Sequence, residues 1–238
     1  MSFGGGNSNA FIPLKTFAPN WQEIIADVKS QQPAAYLPKE YDPAVVKGFA
    51  AQVAILTKML NSTKTTAMEV PTNGKTGPAS VLLKPFSRGS VNMNTDDFFL
   101  DPVIDYNAFA NPVDVKMNIE IFKYTRKWYQ TAEHKKLKPM ETPATMNLTS
   151  DADIAKWLTN QTSASFSHPS GSNSMLPREL GGVVGPDLLV YGVTGLSIVD
   201  ASIIPLVPST HLCATVYAIA EKVRVDTRIS AWRLFNKC

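Results

Sequence analysis

The chain has 238 residues, 44 % of them apolar and 18 % charged, with a net charge of +3. It is long enough to bury a sizeable core and carries no charge surplus suited to a polyanion. With no basic run interleaved with aromatics and no apolar run near the about 20 residues of a membrane span, neither a nucleic acid nor a membrane is expected as a partner.

Residues 2–9 are rich in Gly, Ser and Asn and read as loop. Gly4, Gly5 and Gly6 do not make a dinucleotide loop: no strand precedes them, and Asn9 stands where the third glycine belongs. Residues 21–30 space Trp21, Ile24, Ile25 and Val28 as one face of a helix, with Asn20 as its cap. A Pro/Tyr-rich linker leads to a longer helix over 43–60, whose core face is Val46, Phe49, Val53, Leu56 and Leu60. The period then shifts toward two, and 67–70, 80–84, 90–93 and 102–106 read as strands or extended pieces. Helices are expected from Pro112 to about Thr131 and over 150–159, the second capped by Ser150 and charged by Asp151 and Asp153. Two short buried strands over 187–191 and 196–199 precede a final helix over 214–229. The fold class is therefore α+β, a mostly antiparallel sheet flanked by helices. Seventeen prolines agree with its many loops.

The two cysteines, Cys213 and Cys238, have no metal-ligand spacing, which excludes a structural zinc site. They read as a buried thiol and a tail thiol, with nothing in favour of a disulfide. No basic segment followed by an apolar one opens the chain, so no signal peptide is expected in it. Asn61, Asn147 and Asn160 begin glycosylation triplets, which leave a secreted full-length form open.

The chemistry concentrates in 166–222, which holds two of the three histidines. His168 lies in a Pro/Ser/Gly/Asn-rich loop too polar for a core. His211 stands where a Pro-rich loop becomes a helix. The third, His134, sits in a solvated basic patch and is a poor catalytic candidate. Histidine moves a proton near neutral pH, and a helix N-terminus offers free amides to a group that becomes anionic; here those amides belong to Leu212 and Cys213. The pairing suits oxidation of an alcohol and is compatible with several other chemistries. A hydrolase is set aside, since no Gly-x-Ser-x-Gly elbow accompanies Ser209, His211 and Asp200.

This stretch resembles the C-terminal part of the glucose–methanol–choline (GMC) oxidoreductases, especially their fungal branch. His168, Gly171, Ser172, Met175 and Gly181-Gly182-Val183-Val184 match a first motif. Val190-Tyr191-Gly192-Val193 through Asp200-Ala201-Ser202 match a second, with Ser197 where arginine is usual. His211, Tyr217, Ala220, Glu221 and Lys222 match a third, and the resemblance reaches back to Leu83. It implies FAD as cofactor and a small-molecule alcohol as substrate. It also implies His168 as catalytic base, His211 as its partner on the substrate oxygen, Asp200 and Ala201 beside the FAD phosphate and ribityl region, and Leu212 and Cys213 at the flavin edge. The fold implied is a substrate-binding domain plus C-terminal elements of the FAD-binding domain, divided as a partial substrate-domain region over 1–82 and a C-terminal domain over 83–238. The family's Gly-rich dinucleotide-binding half has no counterpart in these residues. The sequence therefore also admits an inactive fragment, or a subunit that works with that half supplied separately.

Overall fold

The computed structural model describes residues 8–72, 80–97, 99–136 and 138–235. Gly4–Gly6 and Cys238, read above from sequence, lie outside them. The chain separates into two compact units, one built from Met1–Glu40 and Val53–Phe166, the other from Tyr41–Gln52 and Ser167–Cys238. Among the described residues the architecture is α+β, with two small antiparallel sheets among helices.

In the first unit, β1 (Ser8–Pro13), β2 (Thr66–Thr72) and β3 (Val81–Leu82) form a sheet in that order, with Ala10 opposite Val70 and Met68 opposite Leu82. Ser8 and Asn9, read as loop from composition, are strand because β2 supplies their ladder partners Thr72 and Pro71. β2 is central, and its Ala67, Met68 and Val70 are fully buried. A second, two-stranded sheet pairs β4 (Ser90–Asn92) with β5 (Val103–Asp105). Around these pack α1 (Leu14–Phe17), α2 (Trp21–Ser30), α4 (Pro112–Tyr129), α5 (Ala132–Lys135), α6 (Pro143–Met146) and α7 (Asp151–Gln161). The α2 limits are those expected, but Asn20 makes no side-chain cap hydrogen bond; its Oδ1 is buried without a partner.

α4 organises this unit. Asn111 caps it, accepting from the Val113 amide at 3.0 Å, and exchanges two amide hydrogen bonds with Gln31. Val113, Met117 and Ile121 recur at helical spacing and are buried. On another face, Ile119 meets Ile154 and Leu158 of α7, and Phe122 lies 5.8 Å from Trp157. Asp114, only 1 % exposed, accepts from the Phe86 amide at 2.8 Å and the Ser87 amide at 2.7 Å, latching the Lys84–Gly89 segment to the helix. Burial holds its carboxyl above the ordinary carboxylate range, and those two amides act against that rise. Arg126 clamps the segment before α7, donating to Glu141 Oε1, Thr145 O and Leu148 O.

Between β1 and β2 in sequence, α3 (Pro43–Leu60) contributes residues to both units. Its mean hydropathy of 1.3 over 18 residues meets the length and composition of a membrane span, although Lys47, Gln52 and Lys58 interrupt its apolar residues. Phe49, Leu56 and Leu60 are buried at helical spacing, the pattern of a core-facing helix.

In the second unit Val184, Leu188 and Ile203 form the core, with Val190, Ile198 and Ile219 against it. The two strands expected here are instead single bridges, Val184 with Val190 and Leu189 with Ser197. Leu189 and Leu196 are also largely exposed rather than buried. The glycines Gly192 and Gly195, at φ +79° and +76°, turn the chain too often for a ladder to extend. The last helix, α8 (Leu212–Phe235), is longer at both ends than its apolar pattern predicted.

Candidate active site

The second unit brings His168 and His211 together, their ring centroids 5.2 Å apart and the rings tilted by 41°. Forty-two intervening residues fold back because of local backbone constraints. Ser167 adopts φ +60°, turning the chain immediately before His168. Gly171, at φ +88°, accepts a 2.6 Å hydrogen bond from Ser174 Oγ. The loop then lies along the 3-10 turn Ala201–Ile203: Gly171, Asn173 and Met175 amides donate to the carbonyls of Ala201, Ser202 and Ile203. Gly181 and Gly182 close the loop. Gly181 has φ +75° and lies against Val45 of α3, where an added Cβ would come within 2.7 Å of the Val45 Cα. A Cβ on Gly182 would meet the Leu176 carbonyl oxygen at 1.8 Å. Both positions therefore require glycine.

An open cavity of about 440 Å³ lies beside this pair, lined by His168, Ala201, Leu212 and Cys213 among others. Four of the six residues singled out from sequence thus share one wall. His211 stands against His168 without lining the cavity. Asp200 is not in the lining either. Its carboxylate caps the 3-10 turn, accepting from the Ser202 amide at 2.8 Å and from the Ser202 hydroxyl, while Asn173 Nδ2 donates to that hydroxyl oxygen at 3.0 Å. Asp200 therefore fixes the corner that carries Ala201 and ties it to the His168 loop.

Leu212 is buried and opens α8; Cys213, expected buried, is exposed because it faces the cavity from the first helical turn. The first-turn amides of a helix have no partner within it, and this wall holds the N-terminal, positive end of α8. Val216, Tyr217 and Ala220 continue the wall; Tyr217 and Ala220 belong to the third motif, but sequence reasoning assigns none of the three a site role, although their spacing from Leu212 and Cys213 places them on that helix face. His134 lies in the other unit, its Nδ1 2.9 Å from Thr131 Oγ1 and its ring edge-on to Trp128 and Tyr129, a packing role.

A family model described as GMC oxidoreductase matches residues 85–220, more than half of the chain. The chain belongs to the GMC oxidoreductase family. Dehydrogenase xptC of Emericella nidulans is 33 % identical over 218 residues, 90 % of this chain and 35 % of the relative. GMC oxidoreductase family protein Mala s 12 of Malassezia sympodialis is 31 % identical over 89 % of this chain and 35 % of its own. An FAD-dependent oxidoreductase from Chaetomium thermophilum superposes with a TM-score of 0.89 at 30 % identity, over 94 % of this chain and 39 % of that one. A fungal aryl-alcohol oxidase gives 0.87 at 34 % identity, over 97 % and 40 %. The chain thus spans about a third of the length of these curated GMC relatives.

Proposed function

We propose that this GMC chain carries the catalytic-histidine portion of an enzyme that oxidises a primary or secondary alcohol with FAD. The 5.2 Å approach of His168 and His211 beside the cavity is the observation that carries the reading. The residues present suit the flavin end of FAD. The α8 first-turn amides at Leu212 and Cys213 are donors for a group that gains negative charge, and the wall beyond them, at Val216 and Ala220, is apolar enough for a flat ring. Ala201 lines the same cavity, and Asp200 holds it there through the capped turn.

When bound, FAD supplies the acceptor for the hydride leaving the carbinol carbon. His168 takes the hydroxyl proton onto an imidazole nitrogen, and His211 holds the same oxygen by a hydrogen bond from its ring N–H. An imidazole offers an acceptor nitrogen and an N–H, so one ring can accept while the other donates. The relatives include a fungal aryl-alcohol oxidase and pyranose dehydrogenases, which supports an alcohol or sugar hydroxyl as the reacting group.

The test is His168→Ala in a flavin-loaded assembly, followed by stopped-flow reduction of the flavin. Removing a general base slows the step about 10²- to 10⁴-fold; unchanged reduction removes His168 from the mechanism. A second reading is that the chain by itself is inactive, a subunit that works with a dinucleotide-binding polypeptide. It is favoured by the chain's one-third coverage of its relatives. Tight stoichiometric FAD on the purified chain, seen in its visible spectrum, sinks that reading.

A further inference from the structure

The His168 loop is constrained on both sides of the ring. Immediately before it, Ser167 sits at φ +60°, a left-handed conformation that few residues other than glycine, asparagine and aspartate adopt. Such a conformation persists only where the surroundings over-determine it. After the ring, Pro169 fixes its own φ and Gly171, at φ +88°, bends the chain back. The loop therefore keeps this path only while residues 171–175 are held in place.

The 3-10 turn Ala201–Ile203 holds them. Three backbone hydrogen bonds, from the Gly171, Asn173 and Met175 amides at 3.3, 2.9 and 2.8 Å, are open to any residue but proline. One contact depends on side-chain chemistry: Asn173 Nδ2 donates to Ser202 Oγ at 3.0 Å. The Ser202 hydroxyl has a single proton, and it goes to Asp200 Oδ1, a carboxylate oxygen that can only accept. Ser202 Oγ is left as an acceptor, so its partner at position 173 has to be a donor. Asparagine supplies one; an aspartate of the same size and shape does not. The chain from Asn173 through Ser202 to Asp200 thus runs in one sense. It ends on the residue that caps the turn carrying Ala201, which lines the cavity with His168.

We infer that Asn173 is a positioning residue for His168. Its side-chain amide, through Ser202, holds the loop on the strained Ser167 turn and so keeps the His168 ring against His211. Without that contact Ser167 relaxes toward extended backbone and carries His168 with it. The consequence for flavin reduction rests on the reading of His168 as the base, whereas the ring geometry does not. A misplacement of about 1 Å at a reacting group costs up to about a hundredfold in rate.

The test labels the histidine rings of the full 238-residue chain and records the nuclear Overhauser contact between His168 and His211, whose centroids lie 5.2 Å apart. Three histidines keep the spectrum simple, and His134, in the other unit, is the internal control. Asn173→Ala and Asn173→Asp both lose the ring contact, while Ser202→Thr, which keeps the hydroxyl, retains it. Amide exchange in the Val184, Leu188 and Ile203 core stays as in the wild type, which separates displacement of the loop from loss of the fold. Where Asn173→Ala does not fold, Ser202→Ala removes the acceptor instead and is read the same way. In a flavin-loaded assembly Asn173→Ala lowers the limiting rate of flavin reduction by about ten- to a hundredfold with KM within about twofold. In a His168→Ala background it has no further effect on that rate, because it acts through the missing ring. An intact ring contact in Asn173→Ala, an Asn173→Asp chain that behaves as wild type, faster exchange throughout the core, or a further rate loss in the His168→Ala background each overturns the inference. If His168→Ala alone leaves flavin reduction unchanged, the redox reading fails, and the ring contact still decides the role of Asn173.

Discussion

Replacing Asp114 with alanine removes the acceptor of two backbone donors at once. The Phe86 and Ser87 amides, 2.8 and 2.7 Å from its two carboxylate oxygens, are left facing a methyl group. Phe86 is buried, so its amide loses about 1–3 kcal/mol with no water to replace the carboxylate; Ser87 is partly accessible and recovers some of its loss. Against this stands the relief of no longer burying a carboxyl group, whose rise above its ordinary value shows that desolvation outweighs the stabilising hydrogen bonds. The net expectation is a loss of about 2–3 kcal/mol. Urea unfolding followed by tryptophan fluorescence measures it, because Trp21, Trp128 and Trp157 all belong to the first unit. Asp114→Asn keeps one acceptor and turns an NH2 toward the other amide, so it falls between wild type and Asp114→Ala. It also removes a pH dependence. With the folded value above the unfolded 3.8, the native state holds more protons than the unfolded state between the two. This group's contribution therefore falls as pH rises through that window. A change under about 0.5 kcal/mol for Asp114→Ala, the range of an ordinary surface substitution, refutes the latch.

Gly181→Ala forces a side chain into a left-handed conformation and against the Val45 backbone; it should cost at least about 2 kcal/mol by thermal melting of the second unit. Lys84 is 2 % exposed, and burial lowers its pKa from 10.5 to about 8. The unfolded state then binds the extra proton between those values, so stability rises with pH across the window by up to about 3 kcal/mol. Lys84→Met abolishes that rise in paired urea titrations at pH 7.5 and 10. Arg126→Lys loses the forked contact to Glu141 and the two carbonyls; protease cleavage between Glu141 and Leu148 should accelerate several-fold while α4 remains intact by circular dichroism.

Where a helix's own residues carry its stabilising pattern, the sequence sufficed. The α2 and α3 limits and the Ser150 and Pro112 starts follow from apolar spacing and capping chemistry, which are local. The failures are places where a distant partner decides. Ser8 and Asn9 become strand only because β2 lies alongside, and Asn20 looks like a cap while its oxygen points into the interior. The strands expected over 187–191 and 196–199 are instead isolated bridges, separated by the left-handed glycines Gly192 and Gly195.

The sequence by itself determined the chemical inventory: two histidines in loop contexts, a helix start after the second, and motif residues sufficient to name the GMC family. It also placed glycine at 181 and 182, where an added Cβ would run into backbone. Only the tertiary structure decided that the rings of His168 and His211 come within 5.2 Å and that Asp200 caps a turn instead of facing the cavity. It also decided that one face of α8 extends the wall to Val216, Tyr217 and Ala220. Spacing along a chain constrains local geometry. Which loops meet depends on long-range packing and on backbone hydrogen bonds, such as those from Gly171, Asn173 and Met175, which any residue but proline could donate and no motif records.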